Sequence, residues 1–162
     1  KGKNIHNILE LSVDEALEFF IERRDILRKI RPLEAVGLGY VKLGQSSNTL
    51  SGGEAQRVKL AYYLGKENSS EKMFFIFDEP TTGLHFHDIN KLLDALNALV
   101  EQGHTVLIVE HNMEIIKSAD WVIDLGPDGG KGGGELLFEG RPEDLVKEKR
   151  SYTGQYLKEK LK

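Results

Sequence analysis

The chain has 162 residues, 40% hydrophobic and 30% charged, the size and composition of one globular domain with enough apolar content for a core. Its longest apolar runs are strand-sized and it has no cysteine, so a membrane-spanning helix, a disulfide and a thiolate metal site are excluded from these residues. A formal net charge of -4 argues against a domain whose main task is to neutralise a phosphate backbone, and leaves any nucleic-acid role to a local patch or to parts beyond this stretch.

The first residue is Lys1 rather than Met and no signal-peptide pattern follows, so the sequence reads as a piece cut from a longer chain. Ser12-Val13-Asp14-Glu15 is a capping box, with Ser12 and Glu15 set to satisfy the first free backbone amides of a helix. Ala16, Leu17, Phe20, Leu27 and Ile30 continue at helical spacing, and Arg31-Pro32 closes the helix because the residue before proline is pushed out of the α region. Tyr40 to Leu43 reads as a short strand and Gln45 to Thr49 as a loop. A second capping box, Ser51-Gly52-Gly53-Glu54, opens a helix that runs through Leu64 and stops near Gly65. Glu67 to Lys72 is a polar linker.

Met73 to Phe77 is a continuous apolar run, the mark of a strand buried on both faces. Ile89, Leu92, Leu93, Leu96, Leu99 and Val100 form an amphipathic helix ended by Gly103. Thr105 to Val109 reads as another buried strand, Met113 to Lys117 as a short helix, and Trp121 to Leu125 as a third strand. A glycine-rich turn leads to a strand over Glu135 to Phe138 and a helix after Pro142; the last dozen residues read as a charged, fraying tail. Strands alternating with helices indicate an α/β fold with a mostly parallel sheet and flanking helices.

Three places carry chemistry. Asp78-Glu79 ends an apolar strand, and the carboxyl edge of a parallel sheet is where ligands collect. Asp78 there suits a magnesium ion held through water, and Glu79 suits polarising an attacking water; alone, the pair reads equally well as surface acids after a core strand. The Ser51-Gly52-Gly53 turn offers free amides and the positive end of a helix dipole to an anion, with glycines that let it approach. His111 follows the strand Thr105 to Val109, which puts it at the same sheet edge as Asp78, where an imidazole suits contacting a γ-phosphate or aligning the water; a lone histidine after a strand is more often structural, but the other motifs reverse that reading.

Other features read differently. Gly126 to Gly134 imitates a phosphate loop but has Gly132 where Ser or Thr is required and a strand rather than a helix after it. His85 and His87 lack a third ligand nearby and read as solvent or interface residues. Arg23, Arg24, Arg28, Lys29 and Arg31, interleaved with Glu22 and Asp25, read as a solvated face, with DNA contact as the minority alternative.

Leu50 to Val58 resembles the signature of ABC-type ATPases, Phe74 to Glu79 their Walker B strand, and His111 their switch histidine. The resemblance narrows through Leu43-Gly44-Gln45-Ser46, Thr81-Thr82-Gly83-Leu84-His85-Phe86 and Asp124-Leu125-Gly126-Pro127, which look like the UvrA family of the ABC excinuclease; Lys1 to Ile5 is similar to the stretch after that family's C-terminal zinc finger. The likeness covers nearly the whole chain. Transporter ATPases usually carry Ser-Ala-Leu-Asp in the D-loop, where this chain has Thr82-Gly83-Leu84-His85.

The resemblance implies the C-terminal part of the second ABC ATPase module of a cytoplasmic damage sensor in nucleotide excision repair. It implies an ABC-type P-loop core lacking its Walker A lobe, with residues 1–43 a helical remainder of the signature and insertion region, 44–148 the rest of the ATPase domain, and 149–162 a charged tail. It implies ATP and magnesium as cofactors, with zinc bound only elsewhere in the full-length protein. The implied partners are damaged double-stranded DNA, UvrB, a second copy of the protein and the other ABC module of the same chain, and no membrane.

The implied site residues are Glu79 and His111 as catalytic, Asp78 for magnesium, and Ser51, Gly52, Gly53, Glu54 and Gln56 for nucleotide. Asp78, Glu79 and His111 would serve their own module's ATP, while Ser51, Gly52 and Gly53 would reach the ATP of the other module. Without Walker A the fragment alone would be inactive. The rival readings are the ATPase component of an ABC membrane transporter and a non-catalytic ABC-like scaffold.

Overall fold

The structure, a computed structural model, describes residues 1–66, 71–128 and 130–161, with His87 and Lys131 described by their backbones alone. The chain divides into two compact units, Lys1–Val109 and Glu110–Lys162. The expected linker over 67–72 lies mostly outside the described residues.

The first unit begins with helix α1 (Ile5–Leu9), which the sequence reading did not foresee; it is closed by a reciprocal box in which Asn4 and Asn7 each accept the other's backbone amide. The Ser12 box then opens α2 (Val13–Phe19), with Glu15 N–H donating to Ser12 Oγ at 3.2 Å and Ser12 N–H to Glu15 Oε2 at 2.8 Å. The single helix expected from here to Arg31 is two. The chain turns over residues 20–23, so that Ala16 of α2 packs against Leu27 and Ile30 of α3 (Arg24–Ala35) in one small core.

Helix α3 also runs through Pro32, contrary to the expected stop at Arg31. An interior proline forfeits a helical donor at a cost of about 3 kcal/mol. The packing outweighs it: Leu27 and Ile30 belong to the first core while Leu33, beyond the proline, packs against a second one. A helix stopped at Arg31 would strip Leu33 from that second core. The segment Tyr40 to Leu43 is no strand; it makes a single antiparallel bridge, Ser12 to Lys42, flanked by Val13 N–H to Val41 O and Leu43 N–H to Leu11 O.

Helix α4 (Gly52–Leu64) starts and ends where its capping box and Gly65 place it. Strand β1 (Phe74–Asp78) lies parallel to β2 (Thr105–Val109) in the register Phe74↔Thr105 to Asp78↔Val109, and α5 (Phe86–Glu101) crosses over between them. Gly103, at φ 84, makes the left-handed turn out of α5 that other residues resist. Leu60, Ala61, Phe77, Leu92, Leu96 and Leu99 form the main core between this sheet and the helices.

Among the described residues of the first unit, one face of the pair is covered and the other is not. Phe74, Ile76, Leu107 and Val109 are 60%, 63%, 41% and 54% exposed, against the expectation of strands buried on both faces. Side chains alternate along a strand, so packing α4 and α5 against Phe75 and Phe77 leaves the other set bare.

In the second unit, α6 (Met113–Lys117) leads to an antiparallel pair, β3 (Val122–Gly126) with β4 (Glu135–Gly140). The α/β class and the parallel pairing of β1 with β2 hold, but β3 and β4 do not extend that sheet. A parallel crossover needs about a dozen residues or more, which the connection over 127–134 does not provide. That connection contains a short 3-10 turn at Gly130–Gly132 and feeds a strand, as expected of a turn rather than a phosphate loop; Gly129 lies outside the described residues.

Helices α7 (Pro142–Leu145) and α8 (Tyr152–Lys160) follow. The expected fraying tail is therefore a helix: Leu157 is fully buried beside Leu145 and Ile116, and the charges of α8 lie on its outer side. No described helix is long and apolar enough to cross a membrane.

Candidate functional site

The first turn of α4 is built by its own sequence. Ser51 Oγ accepts from Glu54 N–H at 3.3 Å and Glu54 Oε2 accepts from Ser51 N–H at 2.7 Å. Tyr40, outside the signature string, donates its hydroxyl to the other Glu54 oxygen. That bond, with the Ser51 amide next, holds the Glu54 carboxyl below the usual carboxylate range; burial first, then Glu54, pushes the Tyr40 hydroxyl up. Glu54 is thus kept ionised at a helix start, where a negative charge opposes the dipole favourably.

The two glycines of this turn differ. A Cβ on Gly52 would meet nothing within 4 Å, so its backbone faces open space. A Cβ on Gly53 would lie 3.1 Å from Thr82 O and 3.3 Å from Arg57 Nη1, so this glycine lets the helix press against the turn after β1.

That turn carries the acids. Asp78 ends β1 opposite Val109, and the Glu79 N–H continues the ladder to Val109 O at 2.9 Å; both acidic side chains are exposed. Glu79 has φ 47, a left-handed backbone that is uncommon for a non-glycine residue. Such outliers persist where surrounding structure holds them and cluster at functional positions. Thr82 N–H to Glu79 O and Leu84 N–H to Thr81 O, with Gly83 at φ 78, fold the expected D-loop into successive tight turns, and His85 becomes the N-cap of α5.

Two side chains of α4 reach across. Gln56 Nε2 donates to Asp78 O at 2.9 Å while its Oε1 accepts from Asp78 N–H at 3.1 Å. Arg57 is fully buried, and its Nη1 donates to Pro80 O at 2.8 Å and Thr82 O at 3.3 Å, leaving Nε and Nη2 buried without a partner. The structural weight of Arg57 and Tyr40 escaped the sequence reading. A signal existed for Arg57: it shares an inward stripe with Gly53, Leu60 and Ala61, at helical spacing, where a charge is out of place.

The structure therefore brings Ser51, Gly52, Gly53, Glu54 and Gln56 together with Asp78, Glu79 and Thr82 in the first unit. His111 belongs to the second unit, two residues past β2. There the Glu110 carboxylate accepts the backbone amides of His111 and Asn112 at 2.9 and 3.0 Å, and Asn112 caps α6 through Glu114 N–H. The His87 side chain lies outside the described residues.

Among the described residues no group of three or more His, Asp or Glu is placed to hold a metal ion by itself. Magnesium asks for less: it is commonly held by one or two carboxylates plus waters and phosphate oxygens, which the exposed Asp78 fits. At the start of α3, Arg23 pairs with Asp25 at 2.8 Å; Arg24, Arg28 and Arg31 lie with Lys66 and Lys91 around a groove of about 890 Å³ that also contains Asp94, and Lys91 itself pairs with Glu34 at 3.0 Å.

Comparison with known proteins gives one consistent answer. No protein-family model matches the chain. UvrABC system protein A of Agrobacterium fabrum (strain C58 / ATCC 33970) is 59% identical over 99% of this chain, and that of Staphylococcus aureus (strain COL) is 60% identical over 99%. The crystal structure of UvrA2 from Deinococcus radiodurans superposes with a TM-score of 0.84 at 45% identity over 98% of this chain, 19% of its own length. The chain spans only 16% and 17% of the two curated relatives. With identity this high across nearly every residue, the chain matches a C-terminal part of the much longer UvrABC system protein A.

Proposed function

We propose that this chain is the signature-and-Walker-B portion of an ATPase module in a DNA-damage-recognition component of nucleotide excision repair. The observation that carries the reading is the join between an open helix start and a strand-end acid pair, made by Gln56 across 2.9 and 3.1 Å. The family likeness supplies the rest of the context, including the phosphate loop that these residues do not contain.

In this reading Ser51, Gly52 and Gly53 present backbone amides and the helix dipole to the phosphates of an ATP bound by the other module, with Glu54 closing the capping box behind them and Gln56 tying the helix to the Asp78 main chain. Asp78 would hold a magnesium ion through water, and such an ion would supply charge stabilisation to the phosphate oxygens. Glu79 accepts a proton from the attacking water, its position fixed by the left-handed backbone at φ 47. His111 is assigned to the γ-phosphate on its sequence position alone, and Thr82, Gly83, Leu84 and His85 to the D-loop that faces the partner module.

The wider assignments follow the family: damaged double-stranded DNA, UvrB, a second copy and the other ABC module as partners, in the cytoplasm, with zinc held outside this chain. Any contact with DNA from these residues has a local concentration of positive charge to use, the Arg24–Arg28–Arg31 groove, despite the net charge of -4.

Glu79→Gln in the full-length protein tests the core of the reading. ATP binding should persist while hydrolysis at this site slows by about tenfold or more, the scale of lost general-base help. Unchanged turnover would remove Glu79 from the chemistry and favour a non-catalytic scaffold. Binding of the intact protein to a membrane partner rather than damaged duplex would favour a transporter ATPase.

A further inference from the structure

We propose that Gln56 and Arg57 are positioning residues that lock the acid-bearing end of β1 to the first turn of α4, so that what occupies the helix start is felt at Asp78 and Glu79. The inference rests on the reading of those two places as parts of two different ATP sites, and it adds the physical connection between them.

Both polar atoms of the Gln56 amide are bound to the main chain of one residue, Asp78 N–H and Asp78 O. Two bonds to one residue fix position and orientation together, yet leave the Asp78 carboxylate exposed and available. One residue on, Arg57 clasps the next turn by Pro80 O and Thr82 O, on the far side of Glu79. The acid pair is thus held from before and after by consecutive residues of one helix. Gly53 completes the contact, since its missing side chain brings the helix start within touching distance of Thr82 O.

Burying a guanidinium with Nε and Nη2 unpaired is costly. A hydrophobic residue at 57 would fill the core without that cost but could not hold Pro80 O and Thr82 O. A shift of the α4 start therefore has a path to Asp78 through two hydrogen bonds and to the Glu79 turn through two more.

The test uses full-length protein with hydrolysis at the other module silenced, so that only the Glu79 site turns over, and ATP as the ligand. Gly52→Asp places a carboxylate in open space at the helix start, where the fold accommodates it and an incoming phosphate does not. It should lower turnover at the Glu79 site by about fivefold or more at saturating ATP, the lower end of ordinary site-to-site coupling. In a Gln56→Met background, which removes both bonds at similar side-chain length, the same change should add less than about twofold. Gln56→Glu, which keeps the acceptor for Asp78 N–H and sets an oxygen against Asp78 O, should fall between, and serves for the cycle if the methionine variant does not fold.

Equal effects of Gly52→Asp in both backgrounds would overturn the proposal and leave Gln56 a plain structural anchor. So would the absence of any effect on turnover. Glu79→Gln in the same protein separates the failures: if it turns over at the parent rate, the reading of the acid pair falls, and the lock with it.

Discussion

Asp78 and Asp124 both stand in short apolar strands, Phe-Phe-Ile-Phe-Asp and Val-Ile-Asp-Leu-Gly, and the structure uses them in opposite ways. At Asp78 the main chain is held, by Gln56 and by the ladder to β2, and the carboxylate is exposed. At Asp124 the carboxylate itself is spent: Oδ2 accepts from the buried Ser151 hydroxyl at 2.5 Å and Oδ1 from Thr153 at 3.2 Å, which fastens the start of α8 to β3. Asp78, proposed for chemistry, has its backbone satisfied and its carboxylate exposed. Asp124 has its oxygens used up.

The contrast can be broken by exchanging the kind of damage. Asp78→Ala should reduce ATP turnover by about tenfold or more in the full-length protein while changing unfolding free energy by no more than about 0.5 kcal/mol. Asp124→Ala should do the reverse, costing about 1–3 kcal/mol in urea denaturation by leaving the Ser151 hydroxyl without an acceptor. Equal stability losses at the two positions would show that the distinction is not real.

Glycines sharpen it further. Gly154→Ala would set a Cβ 2.4 Å from Leu145 O and should destabilise by about 1–3 kcal/mol, as overpacking does. Gly52→Ala meets nothing and should leave the fold no less stable, while ATP turnover falls because the added methyl stands where the proposed phosphate would approach. A Gly52→Ala protein with unimpaired turnover would count against an anion at the helix start.

The smallest effect concerns pH. Tyr40 and the Ser51 amide depress the Glu54 carboxyl in the folded state, so their stabilisation is complete above the ordinary carboxylate range and is lost as pH falls through the lowered folded value. The melting-temperature gap between the parent protein and Tyr40→Phe should therefore be full at neutral pH and shrink as the solution is acidified below that range. A gap that widened on acidification would mean that Tyr40 acts on something other than the ionised Glu54.

Much of the fold was legible because its signals are local. Capping boxes at Ser12 and Ser51 and the stop at Gly103 are settled by hydrogen bonds within a few residues, and all three stand where the sequence placed them. The misses concern packing. Pro32 lies inside a helix because Leu33 has a core to reach, and the apolar run of β1 is bare on one face because helices cover only the other. Neither fact is contained in the residues themselves. At the site, the strings around Ser51 and Asp78 marked the places, but the link between them needed the fold: Gln56 and Asp78 are 22 residues apart in sequence, and no spacing rule joins them.

The bare side of β1 and β2 also bears on handling. Phe74 and Ile76 stand exposed on a five-residue strand free of proline and charged only at its end, and among the described residues β1 and β2 pair with no further strand. Open edges beside apolar side chains are templates for pairing with another chain. Whenever this face is uncovered, during synthesis or after proteolysis, the residues that carry Asp78 to its place also become a stretch able to seed aggregation.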